Sequence, residues 1–209
     1  FLDETLRQDK DSQMAVECAI KNDKLFIYGE ATTKAKIDYE LIARDILKEI
    51  GYKNDFTIIK ELSCQSPDIA QAVKRKELCA GDQGIMYGYA TNETKEFMPL
   101  TIVIAHKLMY EYEKFRHTTD KFFADAKCQV SARYMDSQPK EITCILISVS
   151  HSDSLTENEI RTAIQSQVID KVLEEYKQYL SPETKFLINP SGKFTIWGSF
   201  SDSGCVGRK

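Results

Sequence analysis

QMAVECAIKNDKLFIYGE, residues 13 to 30, is two strand-like runs on either side of a polar turn. Gln13 to Ile20 and Lys24 to Gly29 are rich in β-branched, aromatic and small apolar residues, and the Lys-Asn-Asp between them has turn chemistry. The stretch predicts a β-hairpin. Working outward, Ile37, Leu41, Ile42, Ile46 and Ile50 fall at helical spacing with charges between them, and Gly51 ends the pattern as a C-terminal glycine does. FTIIKELSC then returns to strand character, and Gln65 to Arg75, with Pro67 and few apolar residues, reads as a loop. Gly84 to Thr91 alternates as a strand, and Pro99 to about Arg116 as a second helix.

The rhythm then repeats. CQVSARY and EITCILISVS are strands joined by MDSQPK, which has hairpin turn chemistry. A third helix runs from about Thr156 to Leu180, opened by the capping box Thr156-x-x-Glu159, and TKFLINP and KFTIWGS follow as short strands around Pro190-Ser191-Gly192. Hairpin plus helix, repeated, predicts an α+β fold with mixed or antiparallel sheets, each covered by helices on one face. The division between a first domain, residues 1–95 with part of the segment up to 127, and a second over about 128–209 is a soft one, because the second helix fits either side. FLDETLRQD reads as an amphipathic helix entered without a cap.

The 209 residues are 42% apolar and 29% charged, an ordinary globular balance. A net charge of −4 without any Lys/Arg-rich run argues against a nucleic-acid binder, and no apolar run approaches the roughly 20 residues of a membrane span. A cytoplasmic protein is the expectation. Six cysteines without a C-x-x-C pair point to reduced, partly buried thiols.

Candidate chemistry sits mainly at turns. Glu17 lies inside the apolar run MAVECAI, where a carboxylate needs a partner or an ion. Glu30, Gln65, Asp68, Asp125, Lys127, Asp202, Arg208 and Lys209 lie at loop or strand ends, and each by itself is also what a solvated turn looks like. His106, His117 and His151 have no metal-binding spacing and read as surface or packing residues, and no Ser/His/Asp or Cys/His arrangement stands out. Three glycines of AGDQGIMYGYATNE, with Asp82 among them, lack both the dinucleotide fingerprint and the Gly-Lys-Ser/Thr of a phosphate loop.

CAGDQGIMYGYATNET, QSPDI, FADAKCQV, INPSGKF and SDSGCVGRK, with GYKNDF and MPLTIVIAHKL between them, resemble in order the signature blocks of the S-adenosylmethionine synthetase family, over essentially the whole chain. The resemblance implies that Asp125, Ala126 and Lys127 hold the adenosine and phosphates of ATP, that Phe194 stacks on adenine beside Lys193, and that Arg208 and Lys209 grip the triphosphate. Glu30 and Gln65 would contact methionine, Asp202 both substrates, Glu17 a potassium site, and Asp82 the same pocket. Gln65 to about Arg75 matches a gating loop, and the strand after the glycine-rich turn helps build a subunit interface.

The implied reaction joins adenosyl from ATP to the sulfur of L-methionine and hydrolyses the released triphosphate, with two magnesium ions per site, potassium, and a homodimer or dimer of dimers whose active site lies at the subunit interface. A thioether sulfur has no proton to remove, so positioning and charge placement carry the attack. By the resemblance Lys127, Asp202, Arg208 and Lys209 are the catalytic set. The family's G-H-P-D-K block, its later blocks with the magnesium ligands and its third domain are not among these residues. Lys193 stands where arginine is usual, which removes a planar bidentate donor, WGSFSDSG replaces a glycine-proline lead-in, and the gating loop is shortened. A homologue that only binds ligand, or only pairs with a complete subunit, is the second reading of the same departures.

Overall fold

A computed structural model describes residues 1–65 and 84–205. It divides into two compact units, residues 1–87 with 198–209, and residues 88–197. Among the described residues no helix is long and apolar enough to cross a membrane.

The first unit opens with α1 (Leu2–Gln8), which has no side-chain cap, and the hairpin of β1 (Gln13–Lys21) and β2 (Lys24–Thr32). Helix α2 (Tyr39–Ile50) starts on Asp38, whose carboxylate accepts from the Leu41 N–H at 3.0 Å, and ends on Gly51 at φ 111°. Strand β3 (Thr57–Ser63) then lies parallel to β2. Met14, Val16, Cys18 and Ile20 face inward and pack with Leu25, Ile27, Tyr39, Ala43, Leu47 and Phe56. Period-two alternation therefore turns Ala15, Glu17 and Ala19 to the other face. That face is open: Phe26, Tyr28 and Ile59 are 43, 39 and 40% exposed.

The second unit repeats the order at larger scale. Helix α3 (Leu100–Arg116), which the sequence left open to either side, packs on the hairpin of β4 (Phe122–Met135) and β5 (Gln138–His151). Helix α4 (Glu157–Ile164) has the predicted capping box. Its buried stripe, Ile160, Ile164 and Val168, advances in steps of four, ahead of the 3.6 residues of an α-turn. The π-turn Gln165–Ile169 absorbs that drift and brings Val168 and Ile169 inward together. A short helix α5 (Asp170–Leu173) and a 3-10 stretch Glu174–Tyr179 complete the segment read as one helix, and β6 (Lys185–Ile188) adds parallel to β5.

Three expectations are corrected. Gly84 to Thr91 is not a strand: it has the alternating pattern but, among the described residues, no neighbouring strand to pair with, and Ile85, Met86, Tyr87 and Tyr89 stand 81, 92, 91 and 73% exposed. KFTIWGS is not a strand either, because the chain has already turned out of the sheet at Asn189 (φ 44°) and Gly192 (φ 90°). After the 3-10 turn Gly198–Phe200, β7 (Gly204–Cys205) pairs with Ala19 and Ile20 of β1, so this terminal segment joins the first sheet and not a second domain running to residue 209.

Candidate functional site

A strand end and a turn build the main constellation. Between Phe122 and Ala126 the β4–β5 register shifts, a bulge that re-aims the strand at Asp125. Ala126 pairs with Val149 and packs toward the core, and Lys127 pairs with Ser148 and is exposed on the opposite face. On the other side Asn189 ends β6. Its N–H donates to Ile147 O (2.9 Å), its side-chain oxygen accepts from Val149 N–H (2.9 Å), and its side-chain amide donates to Val149 O (3.0 Å). The side chain thus makes the pairing that another strand residue would make, and the main chain is released into the turn, where Gly192 N–H donates back to Asn189 O.

That turn delivers Lys193 and Phe194 to the end of β5. His151 N–H donates to Phe194 O (2.9 Å), and Phe194 N–H donates to His151 Nε2 (3.1 Å). Lys193 Nζ pairs with Asp153 and holds its carboxyl below the ordinary carboxylate range. Lys127 Nζ lies 6.0 Å from the centre of the Phe194 ring, within cation–π reach. A recess of about 280 Å³ adjoins the turn, lined by His151, Leu155, Ile160, Asn189 and Lys193 among others. The constellation can therefore offer an aromatic face with cations beside it, which suits a flat ring carrying anionic groups.

The first unit holds the remaining candidates, at two ends of one sheet. Glu30 lies opposite Ala15 and Ser63, and Gln65 follows two residues beyond Ser63, its N–H donating to Thr32 Oγ1 at 3.2 Å. These two residues share one end of β2 and β3. Asp202 is at the other end, where its N–H donates to Gly198 O (3.0 Å) and Lys21 Nζ donates to Ser201 O (3.1 Å). Ser199 anchors this segment: its N–H donates to Tyr52 Oη (2.8 Å) and its hydroxyl to Asn22 O (2.7 Å). Ala15 and Ile20, the β1 partners of the two ends, are five residues apart, about 16 Å of strand.

Glu17 is not enclosed by apolar neighbours as its strand suggested. It is half-buried on the open face, opposite Tyr28, which in turn is opposite Glu61. Asp68, Asp82, Arg208 and Lys209, and the loop after Gln65, lie outside the described residues. Cys18, Cys64, Cys128, Cys144 and Cys205 are free thiols, and burial pushes Cys128 up to about 11. Sequence reading takes His151 for a surface or packing residue and does not single out Asn189. A histidine at a strand end has no spacing signal, and Asn189 stands in INPSGKF where turn chemistry alone accounts for it.

Comparison with known proteins agrees with the resemblance. The domain family described as S-adenosylmethionine synthetase, N-terminal domain, matches residues 1–76, and that described as S-adenosylmethionine synthetase, central domain, matches residues 77–194. The S-adenosylmethionine synthase of Mesoplasma florum is 42% identical over 221 residues, covering all of this chain and 58% of the relative. That of Mycoplasma capricolum subsp. capricolum is 41% identical, covering all of this chain and 57% of the relative. The chain thus spans less than two thirds of the length of these relatives, and it belongs to the S-adenosylmethionine synthetase family, whose N-terminal and central domains it carries.

Proposed function

We propose that this chain works, as part of a cytoplasmic methionine adenosyltransferase, in joining adenosyl from ATP to the sulfur of L-methionine and hydrolysing the released triphosphate to pyrophosphate and phosphate. The convergence of Lys127, Lys193 and Phe194 carries the reading: a cation and an aromatic ring at 6.0 Å, with a second cation on the adjacent residue, suit a purine and its phosphates. Phe194 stacks on the base, Asp125 and Ala126 border it, and Lys127, Arg208 and Lys209 meet charge that grows on the leaving triphosphate. Asp202 faces the positive charge that grows on sulfur, Glu30 and Gln65 orient the amino acid, and Asp82 is a further candidate for ligand contact by the family resemblance. No base is required, because the attacking sulfur carries no proton.

Within one copy Asp202 and the pair Glu30 with Gln65 occupy opposite ends of the sheet, so a residue that touches both substrates meets the methionine contacts of a second copy. This favours a homodimer or dimer of dimers with the site at the subunit interface, and the open face of Phe26, Tyr28 and Ile59 is suitable for such a contact. Glu17, on that face, offers one carboxylate to a potassium ion, whose role would be to balance charge. Among the described residues no group of three or more His, Cys, Asp or Glu side chains converges in a way that fits a magnesium ion.

The test is product formation by the complete protein with ATP, methionine, magnesium and potassium, followed by mass spectrometry. Methionine-dependent S-adenosylmethionine is expected, and Lys127→Ala or Asp202→Asn should lower its rate about a hundredfold or more while circular dichroism stays unchanged. Folded wild-type protein that makes no product would leave a ligand-binding or pairing role, and near-normal turnover in either variant would overturn the residue assignments.

A further inference from the structure

We propose that His151 is a positioning residue for the nucleotide, holding the Lys193–Phe194 turn in place as the neutral imidazole and loosening that hold on protonation; this rests on reading Phe194 as a nucleotide contact. His151 ends β5 and is wholly buried. Its ring lies between two main-chain groups of fixed sense. Nδ1 is 2.9 Å from Ser152 O, a carbonyl that only accepts, and Nε2 is 3.1 Å from Phe194 N, an amide that only donates. These partners leave one tautomer, with the proton on Nδ1 and the lone pair of Nε2 receiving the Phe194 N–H. A second proton on Nε2 would set donor against donor.

The consequence falls on the turn. With Nε2 neutral, Phe194 is gripped twice by one residue, through its N–H to the ring and through its carbonyl to the His151 N–H. Asn189 fixes the start of the same turn. With Nε2 protonated, the first of these bonds is lost, and the turn that carries Phe194 and Lys193 is held to His151 by the main-chain bond alone. The charged groups around this point are Asp153 and Lys193, paired with each other, and Glu157 and Arg161 of α4, paired at 3.6 Å, all lining the same recess, with Lys121 giving its carbonyl to Ser152 N–H nearby. The acceptor of Phe194 N–H is Nε2 and not either of these carboxylates.

Adenosine is the probe, because it presents the base without a phosphate that titrates. Its affinity for the complete protein, measured by calorimetry from about pH 5 to 8, is expected to fall toward acid, with methionine affinity little changed. His151→Gln, whose amide oxygen accepts but takes up no proton, should hold adenosine within about threefold of wild type at neutral pH and lose the acid limb. His151→Leu, with no acceptor, should bind adenosine about tenfold more weakly at every pH. An acid limb that persists unchanged in His151→Gln, wild-type affinity in His151→Leu, or equal losses of adenosine and methionine binding would each overturn the proposal. Where neither variant folds, the wild-type titration decides, and a flat profile overturns it. Phe194→Ala separates the two levels: unchanged adenosine binding there refutes the nucleotide reading itself, whereas loss there with normal His151 variants refutes only the role of His151.

Discussion

In the first unit, α1, the hairpin β1–β2, α2 and the parallel strand β3 follow one another as α3, the hairpin β4–β5, α4 and the parallel strand β6 do in the second. Each unit covers one face of its sheet with helices. The amounts differ: among the described residues seventeen buried apolar side chains join into the core of the second unit, and six into that of the first. The larger core comes from a 17-residue α3 and the long segment from α4 to Tyr179, where the first unit has a seven-residue α1 and a 12-residue α2. One topology has thus produced a unit with a large core that grips the Lys193–Phe194 turn, and one that leaves a face of its sheet open.

Removing core volume should separate them most clearly. Ile147→Ala, in the middle of the seventeen, should cost about 4 kcal/mol, because the surrounding side chains are held from strand and helix and cannot collapse into the void. Ile27→Ala, also fully buried, should cost about 2 to 3 kcal/mol, since a six-residue cluster beside an open face relaxes more easily. Urea unfolding measures both. Equal costs would mean that the smaller cluster is as rigid as the larger.

Backbone space gives the next contrast. Gly29 is at φ 122°, and a Cβ there would stand 2.2 Å from the carbonyl oxygen of Ala15 on the paired strand. Gly29→Ala must part the hairpin and should cost about 3 kcal/mol. Gly192, at φ 90° in the turn that carries Lys193 and Phe194, has nothing within 4 Å of that position. Gly192→Ala should cost only the strained φ, about 1 kcal/mol, and should weaken adenosine binding more than it lowers the melting temperature. Comparable losses at the two glycines would remove the distinction between a crowded strand and an open turn.

What could be read from the sequence follows from where its information is local. The hairpin at residues 13–30, the α2 periodicity, the Gly51 cap and the Thr156-x-x-Glu159 box all lie within one element, and all are present. Gly84 to Thr91 misled because alternation specifies a pleat and not a partner, and among the described residues no strand pairs with it. The π-turn was hidden because a stripe in steps of four still looks helical. Lys127 and Phe194 were singled out from the sequence, but the reason they meet was not legible: it depends on Asn189 imitating a strand residue and on His151 receiving an N–H from 43 positions away. Such roles are assigned by long-range geometry, to residues whose local chemistry is ordinary.

Helix capping gives the finest contrast. Helix α2 is capped by its own N-cap, Asp38, whereas α3 begins at Pro99 with no side-chain cap from that position. Glu93 reaches back instead, its Oε2 accepting from Leu100 N–H (2.9 Å) and from Tyr134 Oη (2.7 Å). Desolvation pushes this carboxyl up, but the bonds from Leu100, Tyr134 and Thr91 together outweigh it and hold it below the ordinary glutamate value of 4.5. A depressed folded-state value means that the cap stabilises at pH above 4.5 and is lost as the pH falls below it. Glu93→Gln should therefore lower stability by about 1 kcal/mol at neutral pH and by progressively less toward about pH 3. Trp197, the single tryptophan of the 209 residues, stacks on Phe123 at 5.3 Å and reports unfolding of this unit by fluorescence. If the gap between wild type and Glu93→Gln stays constant across that range, the contribution is one of shape and not of charge, and α3 differs from α2 only in where its cap comes from.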